Sequence, residues 1–179
     1  MKKVVLFLSM VMLASTFITA NAGDNKWGVR AGYQNTNIYS DGDALGDNLG
    51  GFYIGAFREH QLIPLLSLSA GLEYTQMGMK FLDENRNLNY LGVPIGLKAK
   101  LGPISAIGGT GINFKVGEHD GYEELDIKGF DIPVYLGAGF NVLMIGIEAR
   151  YQWGLTDING DSAGKVANRG FQIGISVGF

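Results

Sequence analysis

The sequence predicts an all-β fold, an eight-stranded antiparallel up-and-down transmembrane β-barrel. Three observations predict it. Apolar residues recur at every second position in stretches of about ten residues, the period of a strand with two unlike faces. The face opposite the apolar one is mostly small rather than charged. The polar connections alternate between long and short, as in barrels with long external loops and short periplasmic turns.

Composition narrows the class first. The chain has 179 residues with 28 Gly, 4 Pro and no Cys; 46% are apolar and only 17% charged. A typical soluble domain has about 25% charged residues and about 7% Gly. The apolar content excludes disorder. Zero Cys excludes a disulfide scaffold, a thiolate metal site and a Cys nucleophile.

Residues 1–22 carry the three parts of a secretory signal: Lys2 and Lys3, an apolar run over Val4–Met12, and the small-x-small site Ala20-Asn21-Ala22. Cleavage is expected after Ala22, leaving 23–179 as one barrel domain. The alternative, an N-terminal anchor, is disfavoured because a spanning helix needs about 20 apolar residues. Losing two lysines makes the mature chain more acidic than the formal −3, which argues against nucleic acid. No stretch after Ala22 is long and apolar enough for a spanning helix. An exported protein that still crosses a bilayer must then be a closed barrel.

The strands follow in order. Trp27–Gln34, Gly51–Arg58 and Ile104–Val116 alternate weakly. Leu66, Leu68, Ala70, Leu72 and Tyr74 oppose Ser67, Ser69, Gly71 and Glu73. Leu91, Val93, Ile95, Leu97 and Ala99 oppose Gly92, Gly96, Lys98 and Lys100. Phe130, Ile132, Val134, Leu136, Ala138 and Phe140 oppose Asp131, Tyr135, Gly137, Gly139 and Asn141. Leu143, Ile145, Ile147, Ala149, Tyr151 and Trp153 oppose Gly146, Glu148, Arg150 and Gln152. Phe171, Ile173, Ile175, Val177 and Phe179 oppose Gln172, Gly174, Ser176 and Gly178. A soluble barrel would cover its polar face with Lys, Glu and Thr. Small residues instead suit the crowded interior of a narrow barrel, which puts the long apolar side chains in lipid.

Long links are expected near 36–50, 79–87, 117–127 and 155–168. A moderate link is expected at 59–65, with tight turns at Leu101-Gly102-Pro103 and Asn141-Val142. This phase puts both chain ends in the periplasm. It also gathers Tyr33, Phe52, Tyr74, Phe114, Phe130, Tyr151, Trp153 and Phe171 near the external ends, and Trp27, Phe140 and Phe179 near the periplasmic ends. These are the expected interfacial aromatic girdles.

Leu68–Met79 (LSAGLEYTQMGM), Leu88–Lys98 (LNYLGVPIGLK), Ala149–Asn159 (ARYQWGLTDIN) and Phe171–Phe179 (FQIGISVGF) resemble the PorT-type outer-membrane barrels, a branch of the OmpA/OmpX-like small barrels. The resemblance covers nearly all of the mature chain. It implies the fold, the outer-membrane location, and a role for the terminal Phe179 as the signal read by the barrel-assembly machinery. Those segments are strand patterns and carry no catalytic motif. A role in secreting other proteins, after which the family is named, would be fold-level analogy.

The charges expected to form a lumen network are Arg30, Glu73, Lys98, Asp131, Glu148 and Arg150. The lumen of an eight-stranded barrel is just wide enough to be filled by side chains, and buried charges must pair. The expected arrangement is a structural salt-bridge network plugging the lumen; the alternative is an ion or proton path. Asp41, Asp43 and Asp47, and Glu118, Asp120, Glu123, Glu124 and Asp126, make two acidic loops without EF-hand spacing. They read as solvated loops, with divalent bridging to anionic surface lipid as a minor alternative. His60 is expected in a periplasmic turn and His119 in an external loop. A triad would need Ser40 or Ser162 brought to His119 from other loops, and no phosphate loop, zinc motif or GxSxG is present.

The expected function is therefore a structural or binding role for a non-conducting, non-enzymatic barrel with no cofactor and no metal. Its expected partners are outer-membrane lipid, the barrel-assembly machinery during insertion, and a surface or periplasmic protein. The alternatives are a lipid-modifying enzyme, and a small pore or secretion-system accessory component. Edman sequencing of the protein from outer membranes should begin at Gly23; a sequence beginning at Met1 would show that the N-terminal segment is retained.

Overall fold

The computed structural model describes residues 25–40, 43–81, 84–119, 129–158 and 166–179. The signal segment, Asp41, Asp120, Glu123, Glu124, Asp126 and Ser162 lie outside the described residues, as does the side chain of His119.

Eight long strands form the barrel: β1 (Asn25–Ser40), β2 (Asp47–Ile63), β3 (Leu66–Phe81), β4 (Glu84–Leu101), β5 (Ile104–His119), β6 (Pro133–Val142), β7 (Ile145–Gly154) and β8 (Val166–Gly178). Two-residue strands at Asp43–Ala44 and Phe130–Asp131 pair with β1 and β5. Each long strand pairs antiparallel with the next, and β8 returns to β1 in an unbroken register from Gly28↔Gly178 to Ser40↔Val166. Closure removes both sheet edges, the condition for a sheet to stand in lipid.

The register sets the shape. Successive partners lead from Trp27 to Arg58, Ala70, Ile95, Thr110, Val134, Trp153 and Arg169, and back to β1 at Asn37. The path returns ten residues further along the strand it left. A stagger of ten over eight strands tilts the strands by about 40° and gives a backbone radius of about 8 Å. Each residue then climbs about 2.5 Å along the axis.

At one end of the barrel the connections are two-residue turns, at Pro64–Leu65, Gly102–Pro103 and Leu143–Met144. By the loop-length rule this end is periplasmic. The first turn residue has positive φ in two of them, 63° at Gly102 and 55° at Leu143, which matches the twist of the flanking strands.

These turns correct three expected boundaries. The tight turn is Leu143–Met144, not Asn141-Val142, and Leu143 does not begin a strand. The moderate link at 59–65 is a tight turn, because β2 runs on to Ile63; His60 lies in that strand, with Nδ1 2.8 Å from Asn25 Oδ1. At the external end the expected long links are shortened by strand: β1 reaches Ser40, β2 begins at Asp47, and β3 and β4 run to Phe81 and from Glu84.

The strands run past the membrane because their polarity inverts there. Within the apolar band, β1 turns Trp27, Val29, Ala31 and Tyr33 outward and Arg30 inward. Above Tyr33, Gln34, Thr36 and Ile38 are buried inside, and Asn35, Asn37 and Tyr39 take the outer side, Asn37 buried there against Gly46. β4 does the same, with Leu97 and Ile95 outside below and Tyr90 and Leu88 buried inside above. The result is a small apolar core in the external mouth: Ile38, Met77, Met79, Leu88, Tyr90, Ile158 and Val166, with Leu45 packed against it. Below the inversion the protein is arranged for lipid, and above it for water.

The inner face also holds more than small residues. Tyr53, Phe57 and Tyr135 point inward, and the glycines stand where their rings need room. A methyl group at Gly32 or Gly174 would overlap Tyr53, and one at Gly96 or Gly109 would overlap the Tyr135 hydroxyl. Glycine is required there by close approach rather than by backbone conformation.

Leu136 lies outward near the middle of the apolar band, and Leu88 inside the external core. Leu136→Arg should destabilise the barrel by about 2–4 kcal/mol in urea titrations in vesicles. Leu88→Ala should cost about 2–5 kcal/mol in the same assay by emptying a packed site.

Candidate functional site

The lumen is the part of the molecule richest in buried chemistry, and the strands bring its charges into one chain. Arg30 Nε on β1 donates to Glu73 Oε2 on β3 at 2.8 Å. Arg150 Nη1 on β7 lies 3.8 Å from the same oxygen, and its Nη2 donates to Glu148 Oε2 at 3.3 Å. Lys98 Nζ on β4 donates to Glu148 Oε1 at 2.9 Å and to Glu59 Oε1 at 3.0 Å. Lys100 Nζ completes the chain on Glu59 Oε2 at 2.6 Å. Signs alternate throughout: Arg30, Glu73, Arg150, Glu148, Lys98, Glu59, Lys100. Each internal charge therefore touches two of opposite sign, the arrangement that offsets the desolvation of buried ions.

Rings hold the cations laterally. The Arg150 guanidinium carbon lies 5.7 Å from the Tyr53 ring centroid and 5.6 Å from that of Tyr135. Arg30 sits 5.5 Å from the Phe57 centroid. Arg150 thus occupies an aromatic slot, and the guanidinium is the cation best suited to stack in this way.

The lumen changes character towards the external end. Above the ions, Thr75 Oγ1 donates to Gln34 Oε1 at 2.8 Å and Gln172 Nε2 donates to the same oxygen at 2.9 Å. Gln34 Nε2 in turn donates to the Gln76 carbonyl. Higher still, Asn168 Nδ2 lies 3.3 Å from Asp131 Oδ2 and 3.4 Å from the Tyr90 hydroxyl. The apolar core of the mouth follows. At the periplasmic end a vestibule of about 410 Å³ opens beneath the ions, lined by Lys26, Phe57, Glu59, Lys98, Lys100, Asn141, Leu143, Met144 and Phe179.

Of the six lumen charges expected from sequence, Arg30, Glu73, Lys98, Glu148 and Arg150 are brought together. Asp131 is not. It is buried beyond the amide layer at the external end, its Oδ1 without a hydrogen-bond partner. Sequence reasoning missed Glu59 because it ended β2 at Arg58. Continuing the strand's period from Tyr53 through Phe57 puts Glu59 inward. Lys100 shares the parity of Lys98 and was legible on the same ground. Asp43 and Asp47 are exposed, and Glu118 is paired with Lys115. Among the described residues no group of three His, Asp or Glu side chains is placed to hold a metal ion.

The expected girdle residues are placed as follows. Tyr33, Phe52, Tyr151 and Phe171 point outward and are exposed, and so do Trp27, Phe140 and Phe179 at the other end. Phe52 pairs with Tyr74, Phe114 with Phe130, and Tyr151 with Trp153, at centroid distances of 5.8, 5.7 and 5.8 Å. Arg58 stacks on Trp27 at 5.1 Å. Phe179 closes the barrel: its N–H donates to the Trp27 carbonyl at 2.7 Å, and the Trp27 N–H donates to its carbonyl at 3.0 Å.

A closed barrel with an apolar outer band and a polar, ion-paired interior defines an integral protein of the outer membrane. The chain belongs to the family of the outer membrane protein beta-barrel domain, whose model matches residues 5–179. No curated protein matches it. Among solved structures it is similar to neisserial surface protein A, at 16% identity over 86% of this chain and 97% of that one, with a TM-score of 0.60. It is also similar to Ail, the attachment invasion locus protein of Yersinia pestis, solved in complex with the heparin analogue sucrose octasulfate. The identity there is 17% over 88% of this chain and 100% of that one, with a TM-score of 0.56. At these identities the likeness is one of fold.

Lys98 is the hinge of the ion chain. Lys98→Met should destabilise the barrel by about 3–5 kcal/mol in urea titrations, because Glu59 and Glu148 lose their shared cation. Adding Glu59→Gln and Glu148→Gln to Lys98→Met should not recover that loss, since Lys100 and Arg150 would then lose carboxylates that still pair them.

Proposed function

We propose that this protein is a non-conducting, non-enzymatic barrel that displays a binding surface outside the cell. The observation that carries this reading is the stacking of three layers across the lumen: paired ions, hydrogen-bonded amides, then the apolar core around Tyr90 and Leu88. A permeant ion would have to separate buried pairs and then cross a mostly apolar core, both at high cost. The same core supports the strands that stand above the aromatic girdle, so they form a rigid platform for the loops. Binding residues commonly sit on loops held by such scaffolds.

The PorT-type placement belongs to this proposal and rests on the sequence segments that resemble that branch. The partner is a surface or envelope component, met by the external platform or by the periplasmic turns. Recordings in planar bilayers test the plugged lumen. Purified protein should give no steady conductance at moderate voltage; stable ohmic openings would overturn the reading in favour of a pore.

A further inference from the structure

The outer wall carries a second polar feature, just above the external girdle on the β8–β1–β2 side. By strand parity Asn37 lies on the outer side, ten residues beyond Trp27 on the same strand and about 25 Å higher along the barrel axis, where it is buried against Gly46. That is the upper limit of the apolar band and the depth of the outer-leaflet headgroups. At this height Arg169 pairs across the seam with Asn37. Its guanidinium lies 4.5 Å from the Tyr39 ring centroid, and among the described residues it makes no ion pair. A cleft of about 110 Å³ opens here, bounded by Asn35, Asn37, Tyr39, Asn48 and Arg169 above and by Tyr151 and Phe171 below.

The amides around Arg169 are positioned rather than loose. Asn37 Nδ2 donates to the Gly46 carbonyl at 2.6 Å, and Asn37 Oδ1 accepts from the Ile38 N–H at 2.7 Å. Asn35 Oδ1 is buried and has no hydrogen-bond partner, so one polar atom in the cleft lacks the donor that burial demands. A hydroxyl of a bound molecule would supply it.

The geometry points to a site for the phosphorylated sugar headgroup of an outer-leaflet glycolipid. The Arg169 guanidinium, held flat by Tyr39, would take a phosphate through paired N–H donors. Asn35 and Asn48 would meet sugar hydroxyls. Tyr151 and Phe171 would lie against the acyl chains that leave the same headgroup. The cation, the amides and the rings thus occur in the vertical order of such a lipid. This site is separate from the lumen and does not depend on whether the barrel conducts.

Native mass spectrometry of the protein in zwitterionic micelles with added lipid A tests the inference. Wild type should retain phosphorylated lipid A, and Arg169→Gln should retain about tenfold less, the loss of one charge-assisted contact. Dephosphorylated lipid A should be held equally weakly by both. A second variant, Asn48→Ala, should weaken retention without touching the cation, and unboiled gel mobility would confirm that each variant is folded. Equal retention by wild type and Arg169→Gln would overturn the site. Displacement of lipid A by millimolar inorganic phosphate alone would overturn the lipid as the source of the phosphate.

Discussion

In hydrocarbon no water is present to satisfy a backbone N–H or C=O, so every strand must find two partners. In this protein that demand is met at the seam between β1 and β8, where the two ends of the chain pair over thirteen successive positions from Gly28↔Gly178 to Ser40↔Val166. Trp27 and Phe179 extend the seam by exchanging both backbone hydrogen bonds. The register of the seam sets the stagger, and the stagger sets the tilt and radius. A radius of about 8 Å leaves a lumen that side chains must fill. The glycines facing Tyr53 and Tyr135 and the alternating ions all follow from that narrowness.

The second organising feature is vertical. Along β1 the inner face passes from Arg30 to Gln34 and Thr36 and then to Ile38, while the outer face passes from Trp27 and Val29 to Asn35 and Asn37. The two faces exchange character at Tyr33, the level of the external girdle. One strand therefore serves two solvents. Its lower part hides polar groups from lipid, and its upper part hides apolar groups from water. The cost of burying ions below is offset by pairing them in a continuous chain. The upper core needs no such pairing, because it is an ordinary hydrophobic cluster. The seam, the ion chain and the core make the external platform a continuation of the barrel wall.

The fold was legible because the strongest signal, period-two alternation over Phe130–Phe140 and Phe171–Phe179, arises where the two faces differ most, inside the membrane. The ion chain was legible for the same reason: Arg30, Glu73, Lys98, Glu148 and Arg150 stand out against glycine and serine. The strand ends were not legible. Above Tyr33 the apolar residues change sides, so the alternation seen from below dissolves at Asn35 and reads as loop. Glu59 was lost when β2 was ended at Arg58, five residues short of its end at Ile63. Asp131 was assigned to the network because parity reports the face of a strand and not the height along it. The Arg169–Tyr39 pair joins residues far apart in sequence across the closing seam, a contact no local pattern reveals.

The exchange of faces on β1 is tested most directly by single-cysteine accessibility, which the cysteine-free chain permits without background. Ala31→Cys, Tyr39→Cys and Ile38→Cys would be placed in vesicles and treated with a membrane-impermeant maleimide, then with a fluorophore quenched by nitroxide lipids. The account predicts that Cys at 31 resists the maleimide and is quenched by lipid, that Cys at 39, half-buried on the outer side, reacts faster than Cys at 38, and that Cys at 38 is shielded from both. A fast maleimide reaction at 31, or at 38 relative to 39, would contradict it.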